Sequence, residues 1–284
     1  MKTRILTGAI LAGVVIAAYV LPWKMLFPCV VLVLCVMMTL ELLKCTGLHS
    51  RMCFAIPALI YSAAAPGLAV KYPDSAVLLV SVALLIVFLF MACVRHKETE
   101  LTRVLTAAAL ILYAVGCMIC FLRISQTPVR FTAFPERQTG RLFWLLGLLS
   151  AWLTDIFAYF GGRLFGKHKL CPSLSPHKTV EGSICGILGS VLTFAAFAVY
   201  FRVCCGAGVH DVMFVLAGIG VSVAAQCGDL FASLVKRTFG IKDFGSLLPG
   251  HGGMLDRFDS LLPVAVILYV ILNSPGLTAL LLTL

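Results

Sequence analysis

Long apolar runs set the terms for this chain. Residues 5–22, 25–43, 52–70, 75–94, 104–122, 142–162, 184–201, 212–235 and 260–284 each form a mostly uncharged stretch, and about 20 such residues in a helix cross a bilayer core of ~30 Å. Hydrocarbon offers no water to backbone N–H and C=O groups, so only helices or closed barrels can live there, and runs of this length select helices. We therefore expect an all-α, polytopic integral membrane protein with about nine transmembrane helices. A hydrophobic fraction of 61%, against roughly 45–50% in soluble domains, excludes an ordinary water-soluble domain. The run at 52–70 holds Pro57 and Pro66, and the last is interrupted by Asn273-Ser274-Pro275-Gly276. The basic start leading into an apolar stretch imitates a signal peptide, but no polar region with a small-x-small cleavage site follows, so the expectation is a retained first helix.

With nine spans the connections alternate between two sides, and Lys and Arg are about twice as frequent on the side of the N-terminus, which the positive-inside rule assigns to the cytoplasm. The formal charge of +10 is accounted for by contact with anionic headgroups. Nucleic acid is not an expected partner, because the basic residues sit at helix ends without interleaved aromatics. The 12 cysteines are scattered, mostly inside apolar runs, where a thiol behaves as a small hydrophobe. Neither Cys117-x-x-Cys120 nor the adjacent Cys204 and Cys205 has the second pair that a zinc site needs.

The chain divides into unequal parts. Residues 1–122 read as a scaffold of five plain helices, with Glu41 the lone acid inside their apolar runs, near a helix end from which it can reach the interface. Residues 123–141 form a basic connecting loop, and residues 142–284 form a four-helix region in which acids, bases, Gly and Pro gather at span ends and in two cytoplasmic loops.

The polar pattern of that last region carries chemistry. Asp229 lies two thirds of the way along an otherwise neutral run, where an unpaired carboxylate costs several kcal/mol and demands a partner, a cation or water. Ser233, Lys236 and Arg237 follow at helical spacing, which makes one polar stripe from the membrane interior to the surface. Next comes a loop with Lys242, Asp243, Pro249, Gly250, His251, Gly252 and Gly253, whose glycines expose backbone N–H groups able to approach phosphates. Asp256 and Asp259, flanking Arg257, share one side of the turn that opens the final helix. Carboxylates near phosphate-sized charge point to a divalent cation, since Mg²⁺ is usually held by one or two carboxylates plus substrate phosphates. Asp229 and Asp256, from consecutive helices, are the expected metal ligands. Upstream, Asp155, Tyr159 and Gly162 fall on one helical face. A polar stretch with Ser175, Lys178, Thr179 and Glu181 follows. Taken singly it reads as an interfacial loop, but as a second polar loop on the same side it becomes a candidate substrate site.

Residues 233–260, "SLVKRTFGIKDFGSLLPGHGGMLDRFDS", resemble the defining stretch of the phosphatidate cytidylyltransferases, also called CDP-diacylglycerol synthases. That pattern runs Ser-x-x-Lys-Arg, then Lys-Asp, then Pro-Gly-His-Gly-Gly-x-x-Asp-Arg-x-Asp, and every element is met. The stretch from Thr154 to Gly182 is similar too, with one departure: His177 stands where a lysine is common. The resemblance covers roughly 150–262 and implies transfer of a cytidylyl group from CTP to phosphatidate, giving CDP-diacylglycerol and pyrophosphate for phospholipid biosynthesis. It also implies Mg²⁺ on Asp229 and Asp256 and a second, monovalent cation (K⁺). The expected partners are the two substrates, membrane lipids and, as one allowed assembly, a second copy of the chain as a homodimer. A bacterial inner (cytoplasmic) membrane, with the active site on its cytoplasmic side, is the expected location.

In the mechanism this implies, Lys236, Arg237, Lys242 and Arg257 bind phosphates, while Lys178 and Thr179, with Ser175, Glu181, Ser233, Asp155, Tyr159, Gly252 and Gly253, hold the triphosphate or the lipid headgroup. His251 is read as a hydrogen-bond donor or loop organiser within the catalytic group. Asp243 and Asp259 are either direct participants or partners that orient Arg and Lys. Two rivals stand beside this reading: a CTP-dependent polyprenol kinase, which moves the terminal phosphate to an alcohol, and a transporter lined by Asp155 and Asp229.

Overall fold

The computed structural model describes residues 23–127, 136–245 and 252–283. The expected first span, 5–22, lies outside them. The described elements are α1 (Trp23–Cys45), α2 (Met52–Lys71), α3 (Asp74–Val94), α4 (Leu101–Gln126), α5 (Glu136–Phe165), β1 (Lys169–Cys171), β2 (Ser175–Thr179), α6 (Val180–Cys205), β3 (Gly208–Val209), α7 (Asp211–Thr238), α8 (Leu255–Phe258), α9 (Leu261–Asn273), α10 (Pro275–Leu281) and β4 (Leu282–Thr283). Seven helices among the described residues are long and apolar enough to cross a membrane. They are apolar outside as well as inside, with Leu79 70% and Leu164 72% exposed, as a surface facing lipid should be. The protein is an all-α polytopic membrane protein.

The described residues, which exclude 5–22, do not confirm the expected count of nine spans. The run at 260–284 is not one straight helix: α9 and α10 bend by 94°, and the number of spans among the described residues reaches 8 if that pair is taken as one. The cause is local. Ser274 is extended and Pro275 opens α10, a ring that cannot continue the preceding helix. At 13 residues, α9 alone rises only about 20 Å, short of the hydrocarbon thickness.

The chain forms two compact units, one of Met1–Leu122 with Lys236–Phe258 and one of Arg123–Val235 with Asp259–Leu284. In the first, α1 packs on α2 and α2 on α3, and Phe27 and Phe121 bring α1 and α4 together with ring centroids 6.1 Å apart. Pro28, Pro57 and Pro66 sit inside helices, which a membrane interior tolerates when neighbouring groups satisfy the freed carbonyls.

In the second unit α5 and α6 make the closest helix pair. A Cβ on Gly182 would stand 2.6 Å from Ala158 O and 2.9 Å from Gly162 Cα, so the backbones touch where neither side supplies a side chain. Small residues serve this purpose in lipid, where no hydrophobic force pulls helices together and close van der Waals contact must. Hydroxyls and one amide reinforce the contact. Ser150 and Ser190 hydroxyls lie 2.6 Å apart, and Ser190 donates to Gly218 O at 2.7 Å. Thr154 donates to Ser222 at 3.2 Å, and Gln226 Nε2 donates to Ser222 Oγ and Ser183 O, each at 3.2 Å. These bonds fix α5, α6 and α7 as one frame.

The stretch Ser175–Thr179 is a strand rather than a loop. It pairs antiparallel with β1, in the register Lys169↔Thr179 and Cys171↔Ser175. A second short pair, β3 with β4, joins the start of α7 to the chain after α10.

Candidate active site

Within the second unit, the hairpin and the α5–α7 frame enclose a cavity of about 470 Å³ lined by Asp155, Tyr159, Lys178, Thr179 and Asp229. All five are residues that the sequence singled out. Arg163, His177, Ser183 and Gln226 also line it and were not chosen as site residues. Lys178 forms an ion pair with Asp229, which answers the need of that intramembrane carboxylate for a partner. The cap explains how Lys178 is aimed: Thr179 Oγ1 accepts from Gly182 N at 3.2 Å, satisfying an orphan N–H of α6 and fixing the residue beside Lys178. Asp155 accepts from Ser260 Oγ at 2.9 Å.

Glu181 closes the base of the hairpin. Its carboxylate accepts from Lys167 N at 3.0 Å, from His168 N at 3.2 Å and contacts His168 Nδ1 at 2.6 Å. Ser175 begins β2 and Ser233 lies half-buried on α7. Asp259 Oδ1 accepts from Ser260 N at 2.8 Å, a local turn contact ahead of α9.

The first unit holds a cluster around Asp256. Its Oδ1 accepts from Lys236 Nζ at 2.7 Å, and its Oδ2 accepts from Phe244 N at 2.9 Å and Gly253 N at 3.0 Å. The two charged side chains are 13% and 6% exposed, and Lys236 Nζ sits 5.4 Å from the centre of the Phe244 ring. Gly252 has φ +81°, a conformation that favours glycine. A Cβ there would stand 3.4 Å from both Asp243 Oδ1 and Asp256 Oδ2. Arg237, Lys242 and Arg257 are exposed. His251 lies outside the described residues.

Glu41 belongs to this cluster, and its place differs from the interfacial one expected. It is 1% exposed and accepts from Met254 N at 2.7 Å and Leu255 N at 2.8 Å. The signal was present in the sequence, as a lone acid in an apolar run must have a partner, but the partner is 213 residues away. The N–H of Gly253, in the glycine loop that the sequence offered to phosphates, is thus taken by Asp256, and those of Met254 and Leu255 by Glu41.

Among the described residues, no group of three or more His, Cys, Asp or Glu side chains is arranged to hold a metal. Magnesium does not require one, since it keeps waters and substrate phosphates as ligands and takes only one or two carboxylates from the protein. Asp229 and Asp256 fit by donor chemistry: both present hard carboxylate oxygens, and both are already engaged by a cation, Lys178 and Lys236 respectively.

The chain is a polytopic helical membrane protein with a lysine–aspartate pair lining its cavity. The cytidylyltransferase family model matches residues 2–274, and the chain belongs to that family. It is 42% identical over 154 residues to the phosphatidate cytidylyltransferase of Staphylococcus epidermidis, a match covering 54% of this chain and 58% of the relative. It is 41% identical over 156 residues to that of Staphylococcus haemolyticus and 40% identical over 156 residues to that of Staphylococcus aureus. The chain thus spans 58% of the length of these relatives.

Proposed function

We propose that this protein transfers the cytidylyl group of CTP to phosphatidate, releasing pyrophosphate and forming CDP-diacylglycerol. The observation that carries the reading is the Lys178–Asp229 ion pair in a cavity walled by hairpin and helix ends, within a chain similar to proteins named for this reaction.

A phosphatidate oxygen attacks the α-phosphorus of CTP, the bond from that phosphorus to the bridging oxygen of the β-phosphate breaks, and the electron pair leaves with pyrophosphate. Phosphatidate is already ionised at neutral pH, so the protein's task is positioning and charge neutralisation. Lys178 meets a phosphate oxygen in this reading, and Thr179 beside it caps α6. Asp155 and Asp229 balance Lys178 and Arg163 in the cavity wall, so a triphosphate needs counter-charge from elsewhere. Magnesium, for which Asp229 and Asp256 are the proposed carboxylates, would supply that charge by polarising phosphate oxygens, and the monovalent cation K⁺ belongs to the same proposal. Lys236, Arg237, Lys242 and Arg257 bind phosphates. The Lys- and Arg-rich loops support a cytoplasmic site, and the bacterial relatives support a cytoplasmic membrane.

The test is turnover of purified protein in detergent–phosphatidate micelles, with Mg²⁺ and with chelator. Formation of CDP-diacylglycerol only with the metal supports the proposal, and its absence under both conditions refutes it.

A further inference from the structure

Among the described residues, Glu41 is a buried carboxylate that the proposed reaction does not use. It sits on α1, is 1% exposed, and both of its oxygens are spent on two consecutive N–H groups, those of Met254 and Leu255, at 2.7 and 2.8 Å. Those residues lead into α8, whose second residue is Asp256. Charge-assisted hydrogen bonds of this length are the strong ones, and burying a carboxylate is tolerable only when such bonds satisfy it.

The surrounding glycines are shaped to Glu41. A Cβ on Gly253 would stand 2.8 Å from both of its carboxylate oxygens, and a Cβ on Gly245 would stand 2.6 Å from Oε1. Two segments that carry the signature residues therefore close on one side chain. Asp256 Oδ2 ties the same two segments from the other side, through Phe244 N and Gly253 N. Glu41 and Asp256 between them engage four backbone N–H groups, and the second of these carboxylates is the proposed magnesium ligand.

We propose that Glu41 is a positioning residue: by holding Met254 and Leu255 it sets where Asp256, and with it Lys236, is presented to the reacting phosphates. This rests on the cytidylyl transfer proposed above. It assigns to the first helices a part in the chemistry beyond that of a scaffold.

Glu41→Gln is the informative variant because it keeps the shape. Its Oε1 can still accept one N–H, while its Nε2 would face the other donor to donor. Displacement of a catalytic group by ~1 Å costs on the order of 100-fold in rate. Full-length wild type and Glu41→Gln would be purified in detergent and compared in three measurements: steady-state kcat and KM for CTP, thermal midpoint, and hydrogen–deuterium exchange of the peptide covering 252–258. The expected result is a kcat lowered by about tenfold or more with KM changed far less, faster exchange in that peptide, and exchange in α5 and α6 unchanged. A variant whose thermal midpoint falls while the folded fraction keeps wild-type kcat and KM would overturn the proposal, as would unchanged exchange at 252–258. If wild type itself forms no CDP-diacylglycerol, the proposed function fails instead, and the exchange comparison still reports whether Glu41 holds the segment.

Discussion

Lys236 Nζ lies 2.7 Å from Asp256 Oδ1, with only 13% and 6% of the two side chains exposed. A lysine that ends one long helix and an aspartate that opens the next short one thus neutralise each other out of water. Removing one partner leaves a buried charge uncompensated, which costs about 3–5 kcal/mol. The two N–H groups that still reach Asp256 place Lys236→Met toward the lower end. We expect a lowered thermal midpoint in detergent together with loss of turnover. A midpoint unchanged within error would show that the pair does not hold this segment.

Lys178 and Asp229 are paired too, but 26% and 33% exposed, and that difference decides the outcome. A partly solvated pair is worth roughly 0–1 kcal/mol of stability. Lys178→Ala should lower the thermal midpoint by less than Lys236→Met, because Asp229 is 33% exposed, and raise the KM for CTP by about tenfold, the value of one charge-assisted phosphate contact. Michaelis constants and melting curves on the same preparation separate the two effects.

The contact between α5 and α6 yields a paired prediction. A Cβ at Gly182 meets backbone atoms at 2.6 and 2.9 Å, whereas one at Gly220 meets nothing within 4 Å. Backbone cannot yield as a side chain can, so Gly182→Ala should force the helices apart and reduce folded yield. Gly220→Ala should be neutral or stabilise by up to about 1 kcal/mol through helix propensity. Size-exclusion profiles and thermal midpoints of the two variants check this, and equal behaviour would refute the close-contact argument.

Much of this was legible in the sequence because the physics involved is local. Span length follows from hydrocarbon thickness, so α1 to α7 fall close to their expected ranges. Asp155, Tyr159, Lys178, Thr179 and Asp229 share one cavity, as polar groups inside spans and in the loop beside them need partners. The bend at Ser274 was marked by Asn-Ser-Pro-Gly, though its effect, splitting the last span into two helices at 94°, was not drawn from it. The hairpin escaped because strands of 3 and 5 residues are too short to show alternation against a Pro- and Ser-rich background. Glu41 escaped because a hydrogen bond spanning 213 residues leaves no periodic trace.

The metal assignment makes its own prediction. Asp229→Asn and Asp256→Asn each keep the side-chain shape and halve the acceptor capacity of a hard-oxygen ligand. Both should lose most of their turnover at ordinary Mg²⁺ and regain part of it as Mg²⁺ is raised. Activity near the wild-type level at every Mg²⁺ concentration in both variants would remove these residues from the metal site.

The central claim is that the α-phosphorus of CTP is the atom attacked, and labelled nucleotide tests it most directly. Purified protein would be given phosphatidate, Mg²⁺ and CTP labelled at either the α- or the γ-phosphorus. The account predicts α-label in the organic-soluble lipid and γ-label in pyrophosphate. Label from the γ-position in the lipid, with CDP released, would contradict it and make the protein a CTP-dependent lipid kinase.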